Sequence, residues 1–232
     1  ASCLVGSEMC IRDSLYGDMS SRVMNSFYHF TPDVEVYSID EAFLGLDGFN
    51  KSNIYKKMIF MKRKIYQWTG IPVSVGIGPT KTLAKLANRI AKKYVNEGVY
   101  NLQDSNQITQ VLNDLELETI WGISKGWAKR LKRIGINNAL QLQRANPNHI
   151  KQHISVVGKR IVYELRGISA LDLEEVNSKK SITVSRSFGE TVTDLQSLKE
   201  ALSNYIFRAA EKLRLQRGCL LYTSDAADDM QC

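Results

Sequence analysis

The chain has 232 residues, 44% hydrophobic and 24% charged, with only 4 prolines, so wholesale disorder and collagen-like repeats are excluded and one or two domains are expected. No run of about 18 apolar residues occurs, which excludes a membrane-spanning helix. Lysine and arginine number 31 against 24 acids, a net charge of +7, which favours an anionic partner, nucleic acid first.

The four cysteines (Cys3, Cys10, Cys219, Cys232) all stand within fourteen residues of an end. An internal disulfide or zinc framework is therefore excluded, and a reducing, cytoplasmic setting fits. Residues 1–14 show no sustained period, and residues 219–232 follow a helical pattern that stops at Arg217. Both read as segments foreign to the fold, with a natural chain expected to continue past each. Without them 30 bases face 19 acids, a net of +11.

In chain order, Leu15 to Phe30 reads as a helix with Tyr16, Met19, Val23 and Phe27 near one face, closed by Pro32. Val34 to Ser38 alternates like a strand, with Val34, Val36 and Ser38 on one face. Asp40-Glu41 interrupts, and Ala42 to Leu46 resumes an apolar run before the Asp47-Gly48 turn. The pattern predicts a hairpin with two carboxylates at its bend. Asn53 to Trp68 is helical on the stripe Ile54, Met58, Met61, Ile65. Ile71 to Ile77 reads as a strand, and Gly78-Pro79-Thr80 leads into a helix from Lys81 to Tyr94. This order suggests a mixed sheet backed by helices. Short helices separated by glycines or Asn-Pro follow from Ser105 to Ile168. Ser181 to Phe188 reads as a strand and Leu195 to Leu215 as a long helix, too little to bury a core alone.

Three stretches carry chemistry. Asp40 and Glu41 are oxygen donors of the kind magnesium takes beside substrate phosphates. In a regular strand they would face opposite ways, so a bend is needed for both to serve one site. Taken alone, the pair reads more simply as a solvated turn. On the helix from Lys81, Lys81, Lys85, Arg89, Lys92 and Lys93 share a sector of about 120°, with no acid between Lys81 and Val95. Thr80 offers a cap, and helix N-termini with nearby lysines suit phosphate; a solubilising face is the plainer alternative. Leu117 to Leu131 resembles a helix-hairpin-helix motif, with Gly122-Ile123 at the turn and Ser124 where the motif's second glycine would stand. Lys125, Lys129, Arg130, Lys132 and Arg133 follow. Such a turn grips duplex phosphates without reading sequence; its alternative is an ordinary helical turn.

Together the stretches VEVYSIDEAFLGL (34–46), IPVSVGIGPTKTLAKLANRIAKKY (71–94), TIWGISKGWAKRL (119–131) and SRSFGETVTD (185–194) resemble the Y-family translesion DNA polymerases. The last leans toward the UmuC branch rather than the DinB branch. The resemblance implies an α+β fold: a mixed-sheet palm with flanking helices, a small all-helical thumb with a helix-hairpin-helix, and a truncated α/β little finger. It places the palm at 15–103, the thumb at 104–175, and a linker with the start of the little finger at 176–218; 1–14 and 219–232 stay outside. It implies magnesium-dependent nucleotidyl transfer in error-prone synthesis over damaged DNA, with Asp40 and Glu41 as catalytic metal-site carboxylates. Lys85 would hold the incoming triphosphate. Lys81 would lie nearby on DNA or phosphate, and Gly122, Ile123, Ser124, Lys125, Lys129 and Arg130 would contact the duplex. The implied partners are primer–template DNA, deoxynucleoside triphosphates, the UmuD′ dimer, the RecA filament and the sliding clamp. The family's further metal-binding aspartate and its fingers have no match here. A non-catalytic helix-hairpin-helix DNA-binding module is the competing reading.

Overall fold

A computed structural model describes residues 2–50, 52–171, 173, 182–185, 188–189 and 191–215, with the side chains of residues 2–14 outside that set. The chain divides into two units, Ala1–Glu175 and Val176–Cys232.

In the first unit, helical spacing of apolar residues builds the first core. Ile54, Met58, Met61 and Ile65 are all buried along one side of α2 (Ile54–Thr69), each burial contributing about 1.5–3 kcal/mol. They meet Val23, Met24 and Phe27 from α1 (Ser2–Phe27), and Ile77 and Val99 from the sheet. Strands β1 (Val34–Val36) and β2 (Ala42–Leu44) pair antiparallel, with Val34 opposite Leu44 and Val36 opposite Ala42. Strands β3 (Val75–Ile77) and β4 (Val99–Asn101) pair parallel. The crossover between them is α3 (Lys81–Tyr94).

Side chains alternate across β3. Ile77 turns toward the α2 core, while Gly76 faces α3. A Cβ at Gly76 would lie 2.0 Å from Asn88 N and 2.3 Å from Ala84 O, so only glycine lets the helix rest directly on the strand. The opposite side of α3 enters a second core. Leu83, Leu86 and Ala87 pack there with Leu102, Leu112, Leu117, Leu131, Leu142, Ile150, Ile161 and Leu165. These come from α4 (Ser105–Asn113), a 3-10 turn (Leu117–Thr119), α5 (Lys125–Arg133), α6 (Ala139–Arg144), α7 (Pro147–His153), α8 (Val156–Leu165) and the segments between them. Helix α3 thus rests on β3 with one side and enters the second core with the other. The second unit holds α9 (Leu195–Leu215), which buries none of its residues; Leu195, Leu198, Leu202 and Ile206 of its apolar face stay exposed.

The chain is a mixed α+β protein, helix-rich with small sheets. The hairpin, α2 within one residue at each end, α3 and α9 fall where periodicity placed them. Three elements differ. The first helix ends at Phe27, because the Phe30 and Thr31 amides turn back to the Phe27 carbonyl, and its backbone begins at Ser2, within a segment read as aperiodic. The strand expected from Ile71 pairs only from Val75, where its amide meets the Gly98 carbonyl at 2.9 Å; its partner β4 has no sequence signal beyond one valine and one tyrosine. Within the strand expected at Ser181 to Phe188, residues 182–185 and 188 form no strand, and 181, 186 and 187 lie outside the described residues. Residues 219–232, expected not to pack, also lie outside them.

Candidate functional site

The hairpin bend takes the carboxylates out of the strand pairing. The Tyr37 and Ser38 amides both donate to the Glu41 carbonyl at 3.0 Å, which folds residues 38–40 into a tight loop. Asp40 is exposed there, and its Oδ1 accepts from Ser38 Oγ at 2.6 Å. Ser20 Oγ of α1 donates to the Ile39 carbonyl at 2.5 Å and anchors the loop from behind. Glu41 Oε2 receives Lys85 Nζ of α3 at 3.1 Å. The two motifs read separately in the sequence, the acidic bend and the basic helix, therefore meet.

Lys81 is turned differently. Its ammonium reaches Glu35 Oε2 of β1 at 2.5 Å, and both side chains are about nine-tenths buried, with 10% and 11% exposed. Its Nζ also lies 5.2 Å from the Phe43 ring centroid. Glu35 was missed as a site residue. Strand alternation put Val34 and Val36 on one face, but Val36 is 39% exposed and Glu35 is buried. The available signal was an acid in an apolar strand facing a lysine-rich helix.

The start of α3 is occupied rather than open to phosphate. Thr80 caps the helix as its sequence suggests, with Oγ1 accepting from the Leu83 amide at 3.4 Å and donating to the Glu164 carbonyl at 2.8 Å. The carboxylate of Glu164, fully buried on α8, fills the remaining space. Its Oε2 accepts from the Thr82 amide at 3.1 Å, and its Oε1 from the Ala170 and Leu171 amides at 2.7 and 3.2 Å. A helix N-terminus attracts an anion; here the protein supplies one from its own helical core.

The turn before α5 has Gly122 at φ 87°, a left-handed conformation that an L side chain resists. A Cβ there would also meet Ile161 Cδ1 at 3.1 Å. Ser124 has φ −76° and ψ 161° and needs no glycine; its side chain caps α5 by accepting from the Trp127 amide at 3.3 Å. Ile123 is buried, while Lys125, Lys129 and Arg130 are exposed. Lys132 pairs with Glu118 at 3.0 Å. A hydrogen bond from Glu118's own amide, then the Lys132 ammonium, hold the Glu118 carboxyl below the usual carboxylate range. Trp121, beside Gly122, lines a cavity of about 230 Å³ together with Glu41, Thr82, Lys85 and Arg89.

Among the described residues no group of three histidine, cysteine or acidic side chains could form a metal cage. Asp40 and Glu41 still suit a hard cation that takes one or two carboxylates and completes its shell with phosphate and water: both are oxygen donors, and both stand at an accessible bend. Among the described residues no helix is long and apolar enough to cross a membrane.

Residues 11–89 match the profile of the impB/mucB/samB family, and residues 179–223 match that of the impB/mucB/samB family C-terminal domain. These matches reach four residues into the N-terminal and five into the C-terminal segment that composition set apart. The chain is 42% identical to protein UmuC of Salmonella typhimurium over 204 residues, 86% of this chain and 48% of that protein. It is 40% identical to protein SamB of Salmonella typhimurium, covering 88% of this chain and 49% of that one. Among solved structures, a Y-family DNA polymerase chimera of Dbh and Dpo4 superposes with a TM-score of 0.71 at 25% identity, covering 86% of this chain and 58% of that one. The chain thus spans about half the length of the curated relatives it matches.

Proposed function

The chain belongs to the impB/mucB/samB family, and from that premise we propose that it is the palm, thumb and beginning of the little finger of an error-prone translesion DNA polymerase. The palm corresponds to 15–103, the thumb to 104–175, and the linker with the first part of the little finger to 176–218. The observation that carries this reading is the approach of Lys85 to Glu41 at 3.1 Å. It joins the carboxylate bend to the basic helix in one place, as template-directed transfer to a primer requires and a plain DNA-binding module does not.

In this reading Asp40 and Glu41 would hold magnesium, which when bound would supply positive charge to stabilise the transfer. The rest falls to the chain's own groups. Lys85 neutralises Glu41 in the arrangement described here, and its ammonium is given over to an incoming triphosphate that takes the carboxylate's place. Lys81, held by Glu35, fixes α3 against the hairpin. The Gly122 turn, with Ile123 and Ser124, presents backbone to a duplex phosphate, and Lys125, Lys129 and Arg130 extend the contact along α5. Contacts of this kind hold any sequence, which suits synthesis across damaged templates. The implied setting is the cytoplasm, on primer–template DNA.

The test is primer extension by the complete protein containing this chain, with magnesium and four deoxynucleoside triphosphates. Asp40→Asn and Glu41→Gln are each expected to lower the rate at least about a hundredfold while duplex affinity stays within a factor of two. Equal extension by the parent and by Asp40→Asn would move the assignment to the DNA-binding module.

A further inference from the structure

Trp121 stands on the turn that the foregoing reading gives to the duplex, yet its ring points at the other half of the site. It lies edge-on to Tyr37, with centroids 5.5 Å apart and planes at 88°, and tilted against Phe43 at 5.6 Å. Its indole Nε1 donates to Tyr37 Oη at 3.3 Å. Lys85 Nζ sits 4.2 Å from the Tyr37 ring centroid and 4.8 Å from that of Trp121, with Glu41 Oε2 as a further partner at 3.1 Å. The ammonium is therefore seated between two aromatic rings and a carboxylate, supplied by two separate parts of the chain.

That seat has a physical consequence. A lysine head on four methylenes has large rotameric freedom, and fixing it opposes any ligand that must order it. Aromatic faces attract the ammonium without consuming its charge. A phosphate can then replace the Glu41 carboxylate while the rings still hold the side chain in place. A partner made only of carboxylates would compete with the phosphate; the rings do not.

We propose that Trp121 is a positioning residue that seats the Lys85 ammonium for the incoming triphosphate. The proposal rests on the assignment of Lys85 as the nucleotide lysine, and the experiment separates the two. The probe is magnesium dATP, titrated calorimetrically into the complete protein containing this chain and into its W121A, W121F, K85A and W121A/K85A variants, with a melting curve for each. Lys85→Ala is expected to weaken binding about tenfold or more and Trp121→Ala about tenfold, whereas Trp121→Phe, which keeps a ring but loses the bond to Tyr37, stays within about threefold. In the K85A background, Trp121→Ala is expected to add nothing, because its effect runs through Lys85. Should Trp121→Ala fail to fold, Trp121→Leu keeps apolar bulk without an aromatic face and is expected to show the same loss.

Binding by the Trp121 variants within twofold of the parent, with K85A weakened, overturns the proposal and leaves Lys85 as assigned. The same is true of an equal loss from Trp121→Ala with and without Lys85, since that marks general loosening. No measurable binding by the parent, or an unchanged affinity in K85A, overturns the nucleotide assignment and the proposal with it.

Discussion

Glu35 and Lys81 form a pair that the surrounding protein has largely removed from water, with side chains 11% and 10% exposed. Such a pair contributes modestly when intact, because desolvation offsets the attraction. Removing one partner leaves a buried charge and costs about 3–5 kcal/mol. Glu35→Ala and Lys81→Ala are each expected to destabilise the first unit by about that amount, and the double variant by clearly less than the sum. Urea unfolding of the four proteins measures this; additive losses would show that the pair is not coupled. The same residues show what a sequence conceals. Lys81 and Lys85 are four apart on one cationic face, and periodicity reads them alike. The structure sends one inward to Glu35 and the other to Glu41. Their difference is set by which strand residue each lysine meets across α3, a register between distant segments that no local pattern encodes. Asp40 and Glu41 were legible because a charged dipeptide between two apolar runs marks a bend. Trp121 and Tyr37 were not, since their meeting depends on a tertiary approach across 84 positions of chain.

At the scale of elements, α3 is the part from which the site is hung. Its amphipathic pattern made its bounds readable to the residue, and its buried leucines explain why it holds against the helical core. Its N-terminus was only half readable. Thr80 is a recognisable cap, but the anion expected there belongs to Glu164, whose interior position in α8 gives no hint of its partners. Glu164→Ala would leave the buried Thr82 amide and the part-buried amides of Ala170 and Leu171 without their acceptor and is expected to cost about 2–3 kcal/mol. Glu164→Gln keeps the shape but turns an amide nitrogen toward one donor, with an intermediate loss. Thermal unfolding ranks the three, and equal stability of Ala and parent would remove the carboxylate from the account of α3. Helix α5 carries an independent expectation. Its exposed bases, if they face duplex phosphates, release counterions on binding, with a log–log salt slope of about −0.9 per phosphate neutralised. Replacing Lys125, Lys129 and Arg130 together by alanine is expected to flatten that slope by about 2.7 if each base neutralises one phosphate. Duplex titrations at several salt concentrations give the number, and an unchanged slope would take the duplex away from this helix.

For the whole molecule, the two cores divide the labour. One holds the hairpin and sheet on α1 and α2; the other gathers the short helices and the apolar side of α3, which rests on β3 at Gly76. The phosphate contacts proposed for the Gly122 turn would depend on the second core and on the exposed bases of α5, both present in this chain. Transfer asks for more. It needs metal ligands on both sides of the reacting oxygens, and among the described residues no third acid joins Asp40 and Glu41 in a group able to hold a metal. It also needs the primer end and the triphosphate held within bonding approach, where losing orientation alone forfeits several kcal/mol of the barrier reduction. For a chain spanning about half the length of its relatives, the proposed function therefore predicts that the two activities separate. This chain by itself is expected to bind primer–template duplex in a salt-sensitive, sequence-independent way and to extend no primer with magnesium and all four triphosphates. The complete protein is expected to do both. Side-by-side gel-shift and extension assays at equal duplex occupancy make the comparison. Extension by this chain alone that survives Asp40→Asn would show that the chemistry is housed away from the hairpin, and duplex binding lost in this chain but present in the complete protein would show that the turn before α5 does not carry the grip.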